Sequence, residues 1–467
     1  MTLFAAWRYL HEAAHPFYCY TARQSHGAYR SFPSPSPVGL LRLLYPNELR
    51  HRTISLASTP ILTPISNYRM PETFPELGDI TRLSPHVVRI LGQNPGKFTL
   101  QGTNTYLIGT QNPYILIDTG EGLPAYLPVL QKALDEHRTS SSPLDVDVSD
   151  IIISHWHHDH VGGLPGVLGL LKELWDARNP GKPYTPPRIH KHTFPASATK
   201  GHHHSHYNQL PRLLKELPQG LFSPPESVPV SDTPDPATLA SGPEFPGVLH
   251  PLADNQLIHT SHGTTLLQVL HTPGHTADSI CLYIPQDRAL YTADTVLGHG
   301  TAVFEDLAVY LSSLNRMLSF GANEDKGKNT ADDAIDLAYV SLYPAHGAVV
   351  ANGRETIATY IKHRLEREAQ IVGVLNSPVP VELNADSSPS PHEASGTAPL
   401  WSTWNIVRVL YKSYPENLWQ PAARGVDLHL RKLEGDGLVK LITAGVEGEE
   451  HHSVWRLLIS PPGTPSL

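Results

Sequence analysis

The sequence predicts an α/β protein in which helices cover the faces of β-sheets. Short runs rich in β-branched and aromatic residues, bounded by glycine and proline, recur along the chain and are typical of strands. Longer segments with apolar residues at helical spacing lie between these runs. Hydrophobic residues make up 40% of the 467 residues and charged residues 17%, so the chain can bury a sizeable core.

Four strands and a helix are predicted in the first half of the chain. The strands are HVVRIL (86–91), TNTYLIG (103–109), YILIDTG (114–120) and VSDIIISHW (148–156). The helix is GGLPGVLGLLKELW (162–175), in which Pro165 is tolerated because it falls in the first turn. A Pro-, Ser- and His-rich stretch at 193–245 interrupts the pattern and is predicted to be a surface insertion.

The second half of the chain continues the alternation of predicted strands and helices, and a linker and a separate C-terminal module follow. Its predicted strands are TTLLQVLHTPGH (264–275), SICLYIP (279–285), ALYTADTV (289–296) and VSLYPAHG (340–347). Its predicted helices are VYLSSLNRML (309–318) and the amphipathic segment ETIATYIKHRLEREAQIVGVL (355–375). A linker composition follows at 376–399. Residues 400–460 then give two helical patterns and a small β element, the outline of a winged-helix module.

The N-terminal extension, residues 1–78, differs from the rest. Up to position 60 it holds six arginines, no lysine and two acids, and serine and proline are frequent. That composition is typical of a mitochondrial transit peptide. A disordered extension, or an upstream segment absent from the mature protein, is the alternative interpretation. The ordered domain is predicted to start near Asp79 and to run to residue 375.

Bulk properties exclude several classes of protein. Two cysteines cannot build a disulfide framework or a cysteine zinc site, and they favour a reducing compartment. We therefore expect an intracellular, cytoplasmic protein, or a mitochondrial matrix protein if the extension is a transit peptide. No run approaches the ~18 apolar residues of a membrane span, so no membrane partner is expected. The formal net charge of −9 weakly disfavours a nucleic-acid binder.

The segment ISHWHHDHV (153–161) suggests a metal site. His155 and His157 lie two residues apart, which on an extended chain places both side chains on one face. Asp159 and His160 follow in the turn before the predicted helix. Polar residues also end three other predicted strands, next to small neighbours that leave room for an ion: His275, Asp294 and His346. His158 is predicted to be exposed or to lie behind the ligands without binding an ion, and the HHHSH tract (202–206) to be a solvated loop.

The motifs together resemble the metallo-β-lactamase superfamily. SHWHHDH supplies its H-x-H-x-D-H signature, and Asp118 of LIDTG, His275, Asp294 and His346 supply the remaining motifs in order. LGQNPGKFTLQGTNTYLIGT, HTPGHT, GHGTAVFEDL and LYKSYPENL are similar to the lactamase-β-like branch with a C-terminal winged helix. The likeness covers about residues 80–192, 250–375 and 400–460. It implies an αββα four-layer sandwich followed by a small winged-helix domain.

The resemblance also implies two zinc ions, although manganese or iron would suit the same donors. His155, His157 and His275 would hold one ion, and Asp159, His160 and His346 the other. Asp294 would bridge the ions, and Asp118 would orient ligands. Such a pair lowers the pKa of a shared water, and Asp159 is the candidate to steer that water or take its proton. His299 is expected beside the substrate.

The branch contains two kinds of enzyme, and the sequence supports one more than the other. SHWHHDHVGG and GHGTAVFEDL are most similar to fungal atrochrysone-carboxyl-type thioesterases, whose partner is an acyl carrier protein or polyketide synthase. The winged helix and the N-terminal composition favour the alternative, a mitochondrial endoribonuclease that cleaves single-stranded RNA. A third interpretation is a winged-helix protein that binds nucleic acid without catalysis. We expect an acyl-thioester hydrolase. The oligomeric state is left open.

Overall fold

The computed structural model describes residues 74–139, 145–192, 208–225, 247–321, 338–383, 399–445 and 452–458. Residues 1–73 of the predicted extension and the HHHSH tract lie outside these ranges, as does most of the predicted linker. Residues 74–78 are described and contain no helix or strand. Within the described ranges, no helix combines the length and apolar character needed to span a bilayer.

The first sheet has seven strands that lie side by side in chain order. They are β1 (Ile80–Arg82), β2 (Val87–Leu91), β3 (Asn104–Ile108), β4 (Tyr114–Ile117), β5 (Val148–Ile153), β6 (Arg188–His192) and β7 (Leu249–Leu252). Strands β1 to β4 are antiparallel neighbours, whereas β4 to β7 run parallel. The central strands are buried on both faces, as their continuous apolar runs predict.

The second sheet has five strands in the order β12-β11-β10-β9-β8. They are β8 (Leu257–His259), β9 (Leu266–His271), β10 (Ile280–Ile284), β11 (Ala289–Ala293) and β12 (Ser341–Pro344). Strands β11 and β12 are parallel, and the other pairs are antiparallel. The parallel pair matters for the site, because its two carboxyl ends meet at one edge of the sheet.

Helices cover the outer face of each sheet. They are α1 (Tyr126–His137), α2 (His158–Val161), α3 (Leu164–Arg178), α4 (Leu210–Glu216), α5 (Leu307–Ser319) and α6 (Gly353–Leu375). One apolar cluster fills the space between the sheets, and two others lie between the sheets and their helices. This is the predicted αββα architecture. The sequence did not predict α1 or α4, and α4 falls inside the expected surface insertion.

The C-terminal residues form a small helical and β unit. It contains β13 (Leu400–Ser402), α7 (Thr403–Leu410), α8 (Trp419–Gly435), β14 (Val439–Thr443) and β15 (Val454–Leu457). The sheet order is β13-β15-β14. The first of the two predicted helical patterns begins at Thr403, because β13 pairs with β15 and Ser402 caps the helix by accepting a hydrogen bond from the amide of Asn405.

Helix α6 belongs to two hydrophobic cores. Ile357 and Ile361, in its first half, pack in the apolar cluster beneath α5. Ile371 and Leu375, in its second half, pack with Trp401 and the helices of the C-terminal unit. The C-terminal unit is therefore built on the last turns of α6, and α8 packs against both α6 and α5.

A buried polar network accompanies this packing. Glu368 of α6 accepts a hydrogen bond from Lys432 of α8 at 3.0 Å. His429, also on α8 and 2% exposed, lies 4.0 Å from the second oxygen of Glu368, beyond hydrogen-bonding distance. Burial, together with the charges of Arg364, Arg367 and Lys432, lowers the pKa of His429 to about 3. These effects outweigh the carboxylate, which Lys432 already partly neutralises.

His429 should make the fold sensitive to acid. Because its pKa is lowered on folding, its contribution to stability is complete above about pH 6.5 and is lost as the pH falls toward 3. We expect wild type to lose about 2 kcal/mol more than H429Q between pH 7.5 and 5, measured by denaturant unfolding of each protein. Because the other histidines are the same in both proteins, their contributions to the pH dependence of the free energy of unfolding cancel in the difference. Equal losses in the two proteins would contradict the burial argument.

Candidate metal centre

The predicted site residues meet at one edge of the two sheets. Asp118 follows β4 and the histidine-rich segment follows β5, two neighbouring parallel strands of the first sheet. Asp294 and His346 follow β11 and β12, the parallel pair of the second sheet. His275 lies in the loop after β9. Strand carboxyl ends thus bring together side chains that are far apart in sequence.

Three histidines and one carboxylate form a first donor group: His155, His157, His275 and Asp294. The Nε2 atom of His155 lies 3.0 Å from Nδ1 of His157 and 3.2 Å from Nε2 of His275. The third distance, from His275 Nε2 to His157 Nδ1, is 3.0 Å. Three ring nitrogens therefore converge on a single point.

Asp159, His160 and His346 form a second donor group. The Oδ2 atom of Asp159 lies 3.3 Å from Nε2 of His160 and 3.3 Å from Nε2 of His346. As in the first group, the side chains come from both sheets. The role of these residues as ligands stays a prediction, whereas their proximity is an observation.

Asp294 lies between the two donor groups and turns one oxygen toward each. Its Oδ1 is 3.4 Å from His160 Nε2 and 3.2 Å from His346 Nε2. Its Oδ2 is 3.5 Å from His275 Nε2 and 4.0 Å from His155 Nε2. This is the placement that a carboxylate shared by two cations requires.

In the first donor group, the hydrogen bond of His275 leaves a lone pair, not a proton, at the centre. Nδ1 of His275 donates to the carbonyl of Val303 at 2.9 Å, so Nε2 of the neutral ring carries a lone pair. Nδ1 of His160 likewise donates to Asp118 at 2.8 Å. The buried Nε2 of His160 and Oδ1 of Asp294 have no hydrogen-bond partner. A tetrahedral zinc ion separates its ligand nitrogens by roughly 3.3 Å, close to the spacing in the first group. The donors fit a cation.

Electrostatics distinguish the two groups. Burial, followed by the neighbouring histidines, holds the pKa of His155 well below its usual value and lowers that of His157 to about 3. Burial also opposes the charged form of His346, but Asp294 and Asp159 outweigh it and raise its pKa to about 10. His155 and His157 are therefore held as neutral imidazoles, whereas Asp159 and Asp294 concentrate negative charge that favours a positive partner.

Asp118 contacts His160 directly and His155 through Ser154, without belonging to either donor group. It follows the last residue of β4 and has a φ of 59°, a left-handed conformation that turns the chain at the site. Oδ1 accepts from the amide of Ser154, and Oδ2 accepts from the hydroxyl of Ser154, from His160 Nδ1 and from the hydroxyl of Tyr291. The Ser154 hydroxyl in turn lies 3.0 Å from His155 Nδ1. Sequence reasoning missed Ser154 and Tyr291.

The other histidines singled out from the sequence lie around the centre. His158 is exposed, as predicted. His299 is half-buried, and its ring meets that of Phe74 edge to face with centroids 5.1 Å apart. Its loop is joined to the metal centre, since the amide of Gly298 donates to the carbonyl of His346 at 2.8 Å. Contact between His299 and substrate stays a prediction.

Comparisons with known proteins agree with this picture. The model of the Metallo-beta-lactamase superfamily matches residues 98–324, and that of the Beta-lactamase associated winged helix domain matches residues 402–445. The chain is 33% identical to the Beta-lactamase-like protein 2 homolog of Drosophila melanogaster over 78% of this chain and 92% of that one. The resemblance and fold class predicted from the sequence are confirmed.

A second kind of relative has a name that describes an activity. The Atrochrysone carboxyl ACP thioesterase of Aspergillus terreus is 31% identical over 64% of this chain and 67% of its own length. Among solved structures, a beta-lactamase domain protein from Burkholderia ambifaria matches with a TM-score of 0.49 at 17% identity, covering 83% of this chain and 96% of that one.

Replacing Asp118 by Asn should weaken metal binding while preserving the backbone. Asparagine tolerates the left-handed conformation, but its amide group cannot accept all the hydrogen bonds that the carboxylate accepts. We expect zinc affinity, measured by competition with a chromophoric chelator, to fall by about 10- to 100-fold. Circular dichroism would verify the fold. An unchanged affinity would show that Asp118 does not orient the ligands.

Proposed function

We propose that this chain, which belongs to the metallo-β-lactamase superfamily of hydrolases, binds two zinc ions and hydrolyses acyl thioesters carried on an acyl carrier protein. The observation that carries the metal part of the proposal is the position of Asp294, with one oxygen toward each of two buried donor groups. Histidine and carboxylate donors are the ligands that zinc accepts in hydrolytic sites. The thioester part rests on the similarity to relatives named acyl carrier protein thioesterases.

Each residue has a defined task in this proposal. His155, His157 and His275 hold one ion, and Asp159, His160 and His346 hold the other, with Asp294 shared. The metal pair, when bound, lowers the pKa of water and polarises the carbonyl of the substrate. Ser154 and the carbonyl of Val303 keep the Nδ1 atoms of His155 and His275 engaged, so that the Nε2 atoms face the ions.

Asp159 is the proposed catalytic residue. Its side chain is 20% exposed, more than that of Asp294 at 12%, and it therefore lies at the solvent side of the donor cluster. Its Oδ2 points to the second group and accepts from Thr103, which leaves Oδ1 to orient a water molecule or to take its proton. A carboxylate fixed at one oxygen orients through the other without a large entropic cost.

A nucleic-acid substrate is the less supported alternative. In a winged helix that binds nucleic acid, a helix must lie free to enter a groove. Here α8 is packed on α6 and α5, and Lys432 is engaged by Glu368. The net charge of −9 also opposes a polyanion. A non-catalytic scaffold is disfavoured because buried, unpartnered donors are costly unless a cation occupies the centre.

Metal content tests the proposal first. We expect freshly purified protein to contain two zinc ions per chain by atomic emission, and stripping with a chelator to lower its Tm because a bound ion stabilises the folded state. Zinc readdition should restore both content and Tm. Protein that holds well under one ion per chain, even after dialysis against zinc, would contradict a dinuclear site.

Substrate class is tested with thioester and RNA assays run side by side. Wild type should hydrolyse an acyl thioester on a carrier protein and leave single-stranded RNA intact. H155A should lose at least about 100-fold in thioester activity, because it removes a ligand. H158A is the matched control, since His158 lies in the same segment but is exposed, and it should retain activity. RNA cleavage that H155A abolishes, without thioester turnover, would support the ribonuclease instead.

A further inference from the structure

The loop between β2 and β3 contains Asn94 and Thr103, and Thr103 contacts two members of the second donor group, Asp159 and His346. We propose that Thr103, held by Asn94, is a positioning residue that fixes Asp159 and so sets the affinity of the second donor group alone. The inference rests on the proposed metal site and goes beyond it, because it assigns a role to residues that are not ligands. Thr103 and Asn94 are both buried, at 0% and 5% exposed.

The direction of the hydrogen bonds defines the role of Thr103. Its Oγ1 donates to Oδ2 of Asp159 at 2.9 Å, the same oxygen that faces His160 and His346. The Nδ2 amide of Asn94 donates to Thr103 Oγ1 at 3.0 Å. A hydroxyl has one proton. Because Asn94 fills an acceptor position on the oxygen, that proton is directed to Asp159.

Asn94 is itself fixed in one orientation. Its Oδ1 accepts from the amide of Thr103 at 2.8 Å, which places Nδ2 on the side of the threonine hydroxyl. Nδ2 also donates to Oε2 of Glu121 at 3.0 Å. The space for this arrangement depends on Gly102, where φ is 132° and a Cβ would lie 3.2 Å from Asn94 Oδ1. The series of hydrogen bonds that joins Glu121, Asn94, Thr103 and Asp159 therefore has one arrangement of donors and acceptors.

The same segment also holds the turn that carries His346. Thr103 forms an antiparallel bridge with His346, and the amide of Asn104 donates to the carbonyl of Ala345 at 2.7 Å. The side-chain amide of Asn104 donates to the carbonyls of Pro344 and Gly347, at 3.0 and 2.9 Å. Two members of the second group are thus braced by residues 103 and 104.

The first donor group is oriented by other contacts. Ser154 lies against His155, and Val303 accepts from His275. Among the members of the two donor groups, the contacts of Thr103 and Asn94 described above reach only Asp159 and His346. A change at Thr103 is therefore expected to affect one ion and spare the other, which a general loss of stability would not do.

A purely structural role for a buried threonine is the competing explanation, and Thr105 provides the control. Thr105 lies on β3, is fully buried, and hydrogen-bonds to the carbonyl of Ile90 and to the hydroxyl of Tyr126. T105V removes a buried hydroxyl by the same substitution two residues from Thr103. Both variants should lose similar stability, since each leaves buried polar partners unsatisfied.

The experiment is a two-step zinc titration in competition with a chelator, performed on wild type, T103V, T103S and T105V. We expect T103V to weaken one binding step by about 10- to 100-fold and leave the other unchanged. T103S retains the hydroxyl and should restore the weakened step. T105V should bind both ions as wild type does. The titration is read from the chelator, so hydrolytic activity does not enter.

Repeating the titration in an H346A variant shows which donor group holds the ion whose binding T103V weakens. H346A removes a member of the second donor group, so adding T103V to it should not change binding of the remaining ion. Wild-type binding of both ions by T103V, or equal losses in T103V and T105V, would overturn the positioning role. Fewer than two ions in wild type would instead refute the proposed dinuclear site, and the inference with it.

Discussion

The structure depends on one electrostatic constraint, the convergence of seven buried or nearly buried histidine and aspartate side chains, in which the ring nitrogens of His155, His157 and His275 face one another. Ring nitrogens 3.0–3.2 Å apart with their protons directed outward repel one another in a low-dielectric interior. Two of the outward nitrogens are engaged by groups that accept a hydrogen bond: Nδ1 of His275 by the Val303 carbonyl, and Nδ1 of His160 by the Asp118 carboxylate. The surrounding network thus directs lone pairs inward, and a cation relieves the repulsion that it creates.

The two sheets are also joined by hydrogen bonds at the edge where the donor groups lie. The amide of Ile280 in the second sheet donates to the carbonyl of Ser154 after β5, and the hydroxyl of Tyr106 in the first sheet donates to the carbonyl of Pro344. These contacts border the donor groups, whose members come from both sheets. A bound cation would hold the sheets at the same edge, so metal binding and folding stability are coupled there.

The sequence predicted the parts of the fold and site that leave a local pattern. Continuous apolar runs identified the central strands, and the strand ends identified every member of the two donor groups. Strand β6 was harder to predict because four of the five residues of RIHKH are basic, and two of them, His190 and Lys191, are buried. His190 and Lys191 are hydrogen-bonded to Asp150 and Asp278, partners that are distant in sequence. Thr103, Asn94 and Tyr291 were missed for the same reason, since common residue types acquire a role only through tertiary contacts.

The C-terminal unit shows why a fold does not determine a function. A winged helix suggests nucleic acid by analogy, yet this one shares a hydrophobic core with the last turns of α6. Arg364 on the same helix donates to the carbonyl of Ala302, next to Val303, whose own carbonyl orients His275. The helix that anchors the C-terminal unit therefore also braces the loop beside the first donor group. Helix α6 is thus the element that connects the core of the C-terminal unit to the loop beside the donor cluster.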